Sequence, residues 1–125
     1  MEEEKYLLAK RYSDLLETVE EGFEYIAKSF ENLAYTEGDR LLDDIFTAFS
    51  QIIQTNFLLA EFYKENAPLL KTLALFEAVV HEAEKLDGKF GDPSAKQEII
   101  LEQLYPAFSA WKQMVGKELN PYIHV

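Results

Sequence analysis

The stretch LAKRYSDLLETVEEGFEYIAKSFENL, from Leu8 to Leu33, decides the fold. Leu8, Tyr12, Leu15, Val19, Phe23, Ile26, Phe30 and Leu33 recur every three or four positions, and at helical geometry that spacing gathers them into one apolar stripe. Asp14, Glu17, Glu21 and Glu24 project to the other side, as a solvated face does. The pattern predicts an amphipathic helix from about Glu3 to Ala34. Gly22 costs about 1 kcal/mol against Ala in a helix interior, so it marks a bend or a close approach of another helix.

The same period repeats three more times. Beyond a turn at Tyr35-Thr36-Glu37-Gly38, where Thr36 or Asp39 can cap, a second helix is expected to about Lys64. Its inner face is Leu42, Ile45, Phe49, Ile52, Leu59 and Tyr63, broadened by Leu41, Phe46, Ile53, Phe57 and Ala60. Asn66-Ala67-Pro68 breaks it, because proline restricts the residue before it and suits a first helical turn. A third helix is read from Pro68 to Leu86, with Leu69, Leu73, Phe76, Val79, Val80, Ala83 and Leu86 inward, stopped by Asp87-Gly88. Asp92-Pro93 then opens a fourth, whose face is Ile100, Leu104, Phe108, Trp111, Val115 and Leu119 and which halts before Pro121. Pro106 lies inside it and removes a backbone hydrogen bond, which predicts a kink near Glu102 to Pro106 or a split into two helices. No segment alternates at period two and no repeat recurs at fixed spacing. Short connections make neighbouring helices antiparallel. The expected fold is all-α: an antiparallel up-down-up-down four-helix bundle with a Pro-kinked last helix, as a single domain over residues 1–125.

Two features depart from an ideal monomeric bundle. A 32-residue first helix would be ~48 Å long and a 19-residue third one ~29 Å, so part of the first must overhang, fray, bend or meet another chain. The end of the second helix is also apolar nearly all round, with Leu58 and Phe62 directed away from the Leu42–Ile45–Phe49 stripe. A helix apolar on every side is covered on every side, which points to a homodimer through this end or to cover by the overhang of the first helix.

The chain of 125 residues carries a formal charge of −11, with 48% hydrophobic residues and no Cys. That apolar content excludes a disordered acidic tail. Without Cys there is no disulfide scaffold, thiolate metal site or Cys nucleophile. A pI near 4.5 argues against nucleic acid and anionic membranes as partners, since phosphates call for Lys and Arg. The acidic start lacks the basic and apolar regions of a secretory signal, and no apolar run approaches the ~18 residues of a membrane span; a cytoplasmic protein is expected. From Ser13 to Phe49 ten acids face only Lys28 and Arg40, a net −8, whereas from Lys96 onward acids and bases balance. The first two helices therefore form an acidic flank suited to solubility or to steering a basic protein partner.

Reactive constellations are not legible. Glu77, His81 and Glu84 share one side of the third helix and could hold a metal, but surface histidines flanked by Glu are ordinary and the spacing is not that of a di-iron bundle. His124 sits at a terminus. The serines have no nucleophile-elbow context, the glycines form no phosphate loop, and the carboxylates are spread over exposed faces. Asn56, on the apolar stripe of the second helix, needs a hydrogen-bond partner such as a tyrosine hydroxyl and can fix register. No cofactor is expected. The build resembles small bacterial helical bundles and, more loosely, export chaperones and adaptors of antiparallel helices. These observations predict a non-enzymatic interaction or adaptor module, chaperone- or regulator-like, binding a protein partner or itself. Its expected contact surface is Leu58 and Phe62 with the acidic flank of Glu17, Glu21, Glu24, Asp43 and Asp44. The alternative is a small-ligand- or metal-binding bundle with an interior pocket lined by Tyr, Trp and Asn56.

Overall fold

The computed structural model describes residues 2–31 and 38–124, and among these every regular element is a helix, without a strand. Leu33, Ala34 and, of the turn, Tyr35, Thr36 with its cap and Glu37 lie outside the described residues. Four rods follow one another. The first is α1 (Glu2–Ser29) and the second α2 (Gly38–Phe62). The third is divided into α3 (Ala67–Ala74) and α4 (Phe76–Glu84). The fourth comprises α5 (Pro93–Ile99), a π-helical turn (Ile100–Leu104) and α6 (Tyr105–Ile123).

The rods close a ring in which α1 packs on α2 and α6, while α3 and α4 pack on α6 and α3 also on α2. Numbers rise on one rod as they fall on its neighbour. Lys5, Tyr12 and Phe23 meet Tyr63, Asn56 and Phe49 in turn. Asn66, Thr72 and Lys85 likewise meet Tyr122, Trp111 and Gln103. This is the antiparallel order of an up-down-up-down arrangement. At its centre Phe23, Phe49, Phe76, Phe108 and Trp111 form a continuous aromatic cluster, with Phe76 and Trp111 centroids 4.5 Å apart. The Trp111 indole N–H donates to the Thr72 carbonyl at 2.9 Å, so the buried ring leaves no polar atom stranded. Of the residues that the ligand-binding alternative sets around an interior pocket, Tyr12 and Trp111 pack edge to face and Tyr12 bonds Asn56.

Several local features differ from what periodicity predicts. In α1 the buried residues are Ala9 and Leu16, not Leu8 and Leu15, beside Tyr12, Val19, Phe23 and Ile26. Two neighbours share this helix, so its inward centre bisects them: Leu8 and Leu15 turn to the α2 seam beside Gln51 and Thr55, half covered. Gly22 marks a close approach, since a Cβ there would stand 3.3 Å from Ile45 Cδ1.

The third rod is not continuous. Leu73, Phe76 and Val79 are all buried at successive spacings of three, tighter than an α-helix delivers. The backbone tightens to suit them: Leu75 N–H is shared by the Lys71 and Thr72 carbonyls, and Ala78 N–H reaches the Leu75 carbonyl at 3.0 Å. The cost is Leu75, 44% exposed.

The opposite adjustment occurs in the fourth rod. Pro106 would clash with the carbonyl four residues before it; the helix widens instead, with Tyr105 N–H bonded to the Ile100 carbonyl. Ile100, Leu104 and Phe108, spaced by fours, stay inward through this wide turn. Nor does the rod halt before Pro121: α6 continues to Ile123, where Tyr122 packs on Tyr63 with centroids 4.3 Å apart and accepts from Asn66 Nδ2. Phe90, in the connection before α5, meets Phe46 edge-on.

Candidate functional site

The second rod carries more apolar residues than its neighbours can cover. Leu42, Ile45, Phe49, Ile52 and Leu59 are buried, whereas Ile53, Phe57 and Leu58 remain 38%, 73% and 48% exposed. Ile53 and Phe57, four apart, sit on the flank of the buried stripe and face the third rod. Between them runs an open groove of about 510 Å³. Its walls are Ile53, Asn56, Phe57 and Ala60 from α2, Leu70, Leu73 and Ala74 from α3, and Phe76, Glu77 and Val80 from α4. Ala60 and Ala74 are too small to close it, and the tightened backbone at Leu75 leaves a further apolar side chain exposed nearby. Among the described residues Asn56 and Glu77 are its only polar lining residues. Asn56 Oδ1 accepts from the Tyr12 hydroxyl, which leaves the amide N–H groups as donors for the groove side. Burial drives the pKa of that hydroxyl far above the ordinary tyrosine range, so it stays a donor.

The expected contact residues are not brought together. Leu58 is exposed but absent from the groove lining, and Phe62 is half-buried in a separate crevice at the end of the bundle. That crevice, about 830 Å³, is shared with Glu2, Glu3 and Tyr6 of α1, so the start of the long first helix covers Phe62 in part. The acids of α1 turn elsewhere. Glu17 pairs with Lys112 at 2.7 Å on the α1–α6 seam, and Glu20 accepts there from Ser109 at 2.9 Å. Glu24 adjoins Tyr105, whose pKa is raised by burial first and then by Glu24 and Glu20. This seam lies across the ring from the groove. Glu21, Asp43 and Asp44 are exposed, with the two aspartates near the start of α2. The apolar surface and the α1 acids are thus separate features. Sequence spacing alone pointed to Leu58 and Phe62, because which flank of α2 lacks cover depends on the small residues of the facing helix.

His81 Nδ1 and Glu84 Oε2 lie 3.9 Å apart on an open helix face, while Glu77 lines the groove. Among the described residues no group of three His, Asp or Glu side chains is placed to hold a metal ion. Nor is any helix among them long and apolar enough to cross a membrane.

Fold and surface together define an all-α four-rod protein with an apolar groove between its second and third rods. The chain belongs to the family described as Domain of unknown function (DUF8042), matched over residues 8–114. It is 29% identical over 121 residues to the Uncharacterized protein YvzG of Bacillus subtilis (strain 168), covering 96% of this chain and 95% of that one. No solved structure matches it. The whole groove lies within the family match, whereas Glu2, Glu3, Tyr6, Pro121 and Tyr122 of the end crevice fall outside it.

Proposed function

We propose that this chain is a non-enzymatic helical interaction module, an adaptor, chaperone or regulator, that holds a protein partner in the groove between α2 and the α3–α4 rod. Phe57 carries the reading. A phenylalanine 73% exposed beside an apolar groove gains about 1.5–3 kcal/mol when a partner covers it, and buried aromatic anchors dominate the energy of protein interfaces. Charge then sets which partner arrives. Self-association is the weaker use of this surface, because it would bring together two chains each carrying −11. A cytoplasmic setting accords with the absence of Cys.

Placing the photo-crosslinker benzoylphenylalanine at Phe57, and separately at the exposed Gln113 of α6, tests this in the cell of origin. Irradiation is expected to yield an adduct with a second protein from position 57 and none from position 113. No adduct at 57, or the same set from both positions, overturns the reading.

A further inference from the structure

Resting on that reading, we infer that the groove's occupant is a basic amphipathic helix of another protein, its apolar side against Phe57 and its Lys or Arg side chains over Glu61, Glu77 and Glu84. The walls have the dimensions of a helix seat. Ile53 to Ala60 spans ~10 Å of α2 and Leu70 to Val80 ~15 Å of the facing rod, the length of two to three helical turns. Ile53–Phe57 and Leu70–Ala74 are ridges of residues four apart, the relief into which the side chains of a third helix interdigitate. Amphipathic helices bind such grooves through anchors at spacings of three, four and seven.

The surroundings select the sign of its charge. From Ile53, where the groove begins, to Glu84 at the end of α4 the chain holds five acids against Lys64 and Lys71, and of these Glu82 is paired with Lys85. Glu77 lines the groove itself. Glu84, seven residues on, shares its face, and Glu61 follows Phe57 by one turn, both exposed. Among the described lining residues Asn56 alone offers a side-chain hydrogen bond donor, its amide N–H groups, so an acceptor on the incoming helix would fix its register.

The test is fluorescence anisotropy of labelled peptides with the full chain. One peptide is a 14-residue Leu/Lys amphipathic helix, the second replaces each Lys by Glu, and the third scrambles the first so that no apolar face forms. The Leu/Lys helix is expected to bind, with the other two at least roughly tenfold weaker. Phe57→Glu adds negative charge, so attraction by charge alone would strengthen; docking in the groove instead predicts a loss of about tenfold or more, with the helical circular dichroism retained. The double variant Glu77→Gln/Glu84→Gln is expected to weaken binding a few-fold and flatten its salt dependence. Equal affinity for the Lys and Glu helices overturns the charge assignment while the groove survives as a binding surface. Undiminished binding by Phe57→Glu overturns the groove as the seat. Sedimentation equilibrium showing a dimer that Phe57→Glu dissociates would make the occupant a second copy and overturn the inference likewise.

Discussion

The Tyr12 hydroxyl donates to Asn56 Oδ1 at 2.5 Å, a bond that joins α1 to α2 behind the floor of the groove. It links the buried core to the candidate binding surface, because the same Asn56 that satisfies a core tyrosine also lines the groove. Removing the hydroxyl leaves a carbonyl oxygen without its partner, at a cost of about 1–3 kcal/mol. Tyr12→Phe is therefore expected to lower the urea midpoint. Combining it with Asn56→Leu is expected to cost less than the two separate losses added together, and strict additivity would dissolve the coupling.

Alkaline pH tests the same tyrosine. Its folded pKa lies far above the unfolded value near 10, so the folded state keeps a proton that the unfolded chain gives up. Stability is then complete below pH 10 and falls above it, by up to about 1.4 kcal/mol per pH unit for this group. Tyr63 and Tyr105 act in the same direction, each raised first by burial. Denaturant melts between pH 9 and 11.5 are expected to show that decline, with a shallower slope in Tyr12→Phe.

Phe76 sits where the third rod tightens, with Phe49 at 5.2 Å and Trp111 at 4.5 Å between ring centroids. Truncation there opens a cavity in the aromatic cluster, so Phe76→Ala is expected to cost about 3–5 kcal/mol by chemical denaturation. Leu75→Ala, one residue away and 44% exposed, is expected to cost well under half of that.

Two N-caps differ in what else their side chains hold. Asn66 Oδ1 accepts from Leu69 N–H while its amide donates to the Tyr122 hydroxyl at 2.6 Å; the Asp92 carboxylate accepts from Ala95 N–H, on an exposed turn. Loss of an N-cap costs about 1 kcal/mol. Asn66→Ala is expected to exceed Asp92→Ala in thermal melts, because it also releases the end of α6.

Much of this fold was legible in periodicity. The inward residues of α2 from Leu42 to Leu59 and of the fourth rod from Ile100 to Leu119 are those that a spacing of three and four selects. Periodicity was less informative where a helix has two neighbours, as at Leu15 and Leu16, and where the backbone departs from 3.6 residues per turn. The run Leu73–Phe76–Val79 did carry a sign of tightening in its spacing by threes, and Pro106 announced a disturbance without specifying that the helix would widen. The groove was only half legible. An excess of apolar residues at the end of α2 was visible, but the side left uncovered follows from Ala60 and Ala74 standing where larger residues would have filled the seam. The acidic flank read as one feature in sequence; in space Glu17 and Glu20 serve the α1–α6 seam through Lys112 and Ser109.

Seating of the helix between α2 and the α3–α4 rod is open to backbone amide shift mapping. Titrating the Leu/Lys helix into the isotopically labelled chain is expected to shift Ile53, Phe57, Ala74 and Val80 and to leave Glu17, Glu20 and Lys112 unmoved. Shifts gathered along the α1–α6 seam, with the α2–α3 groove silent, would contradict it.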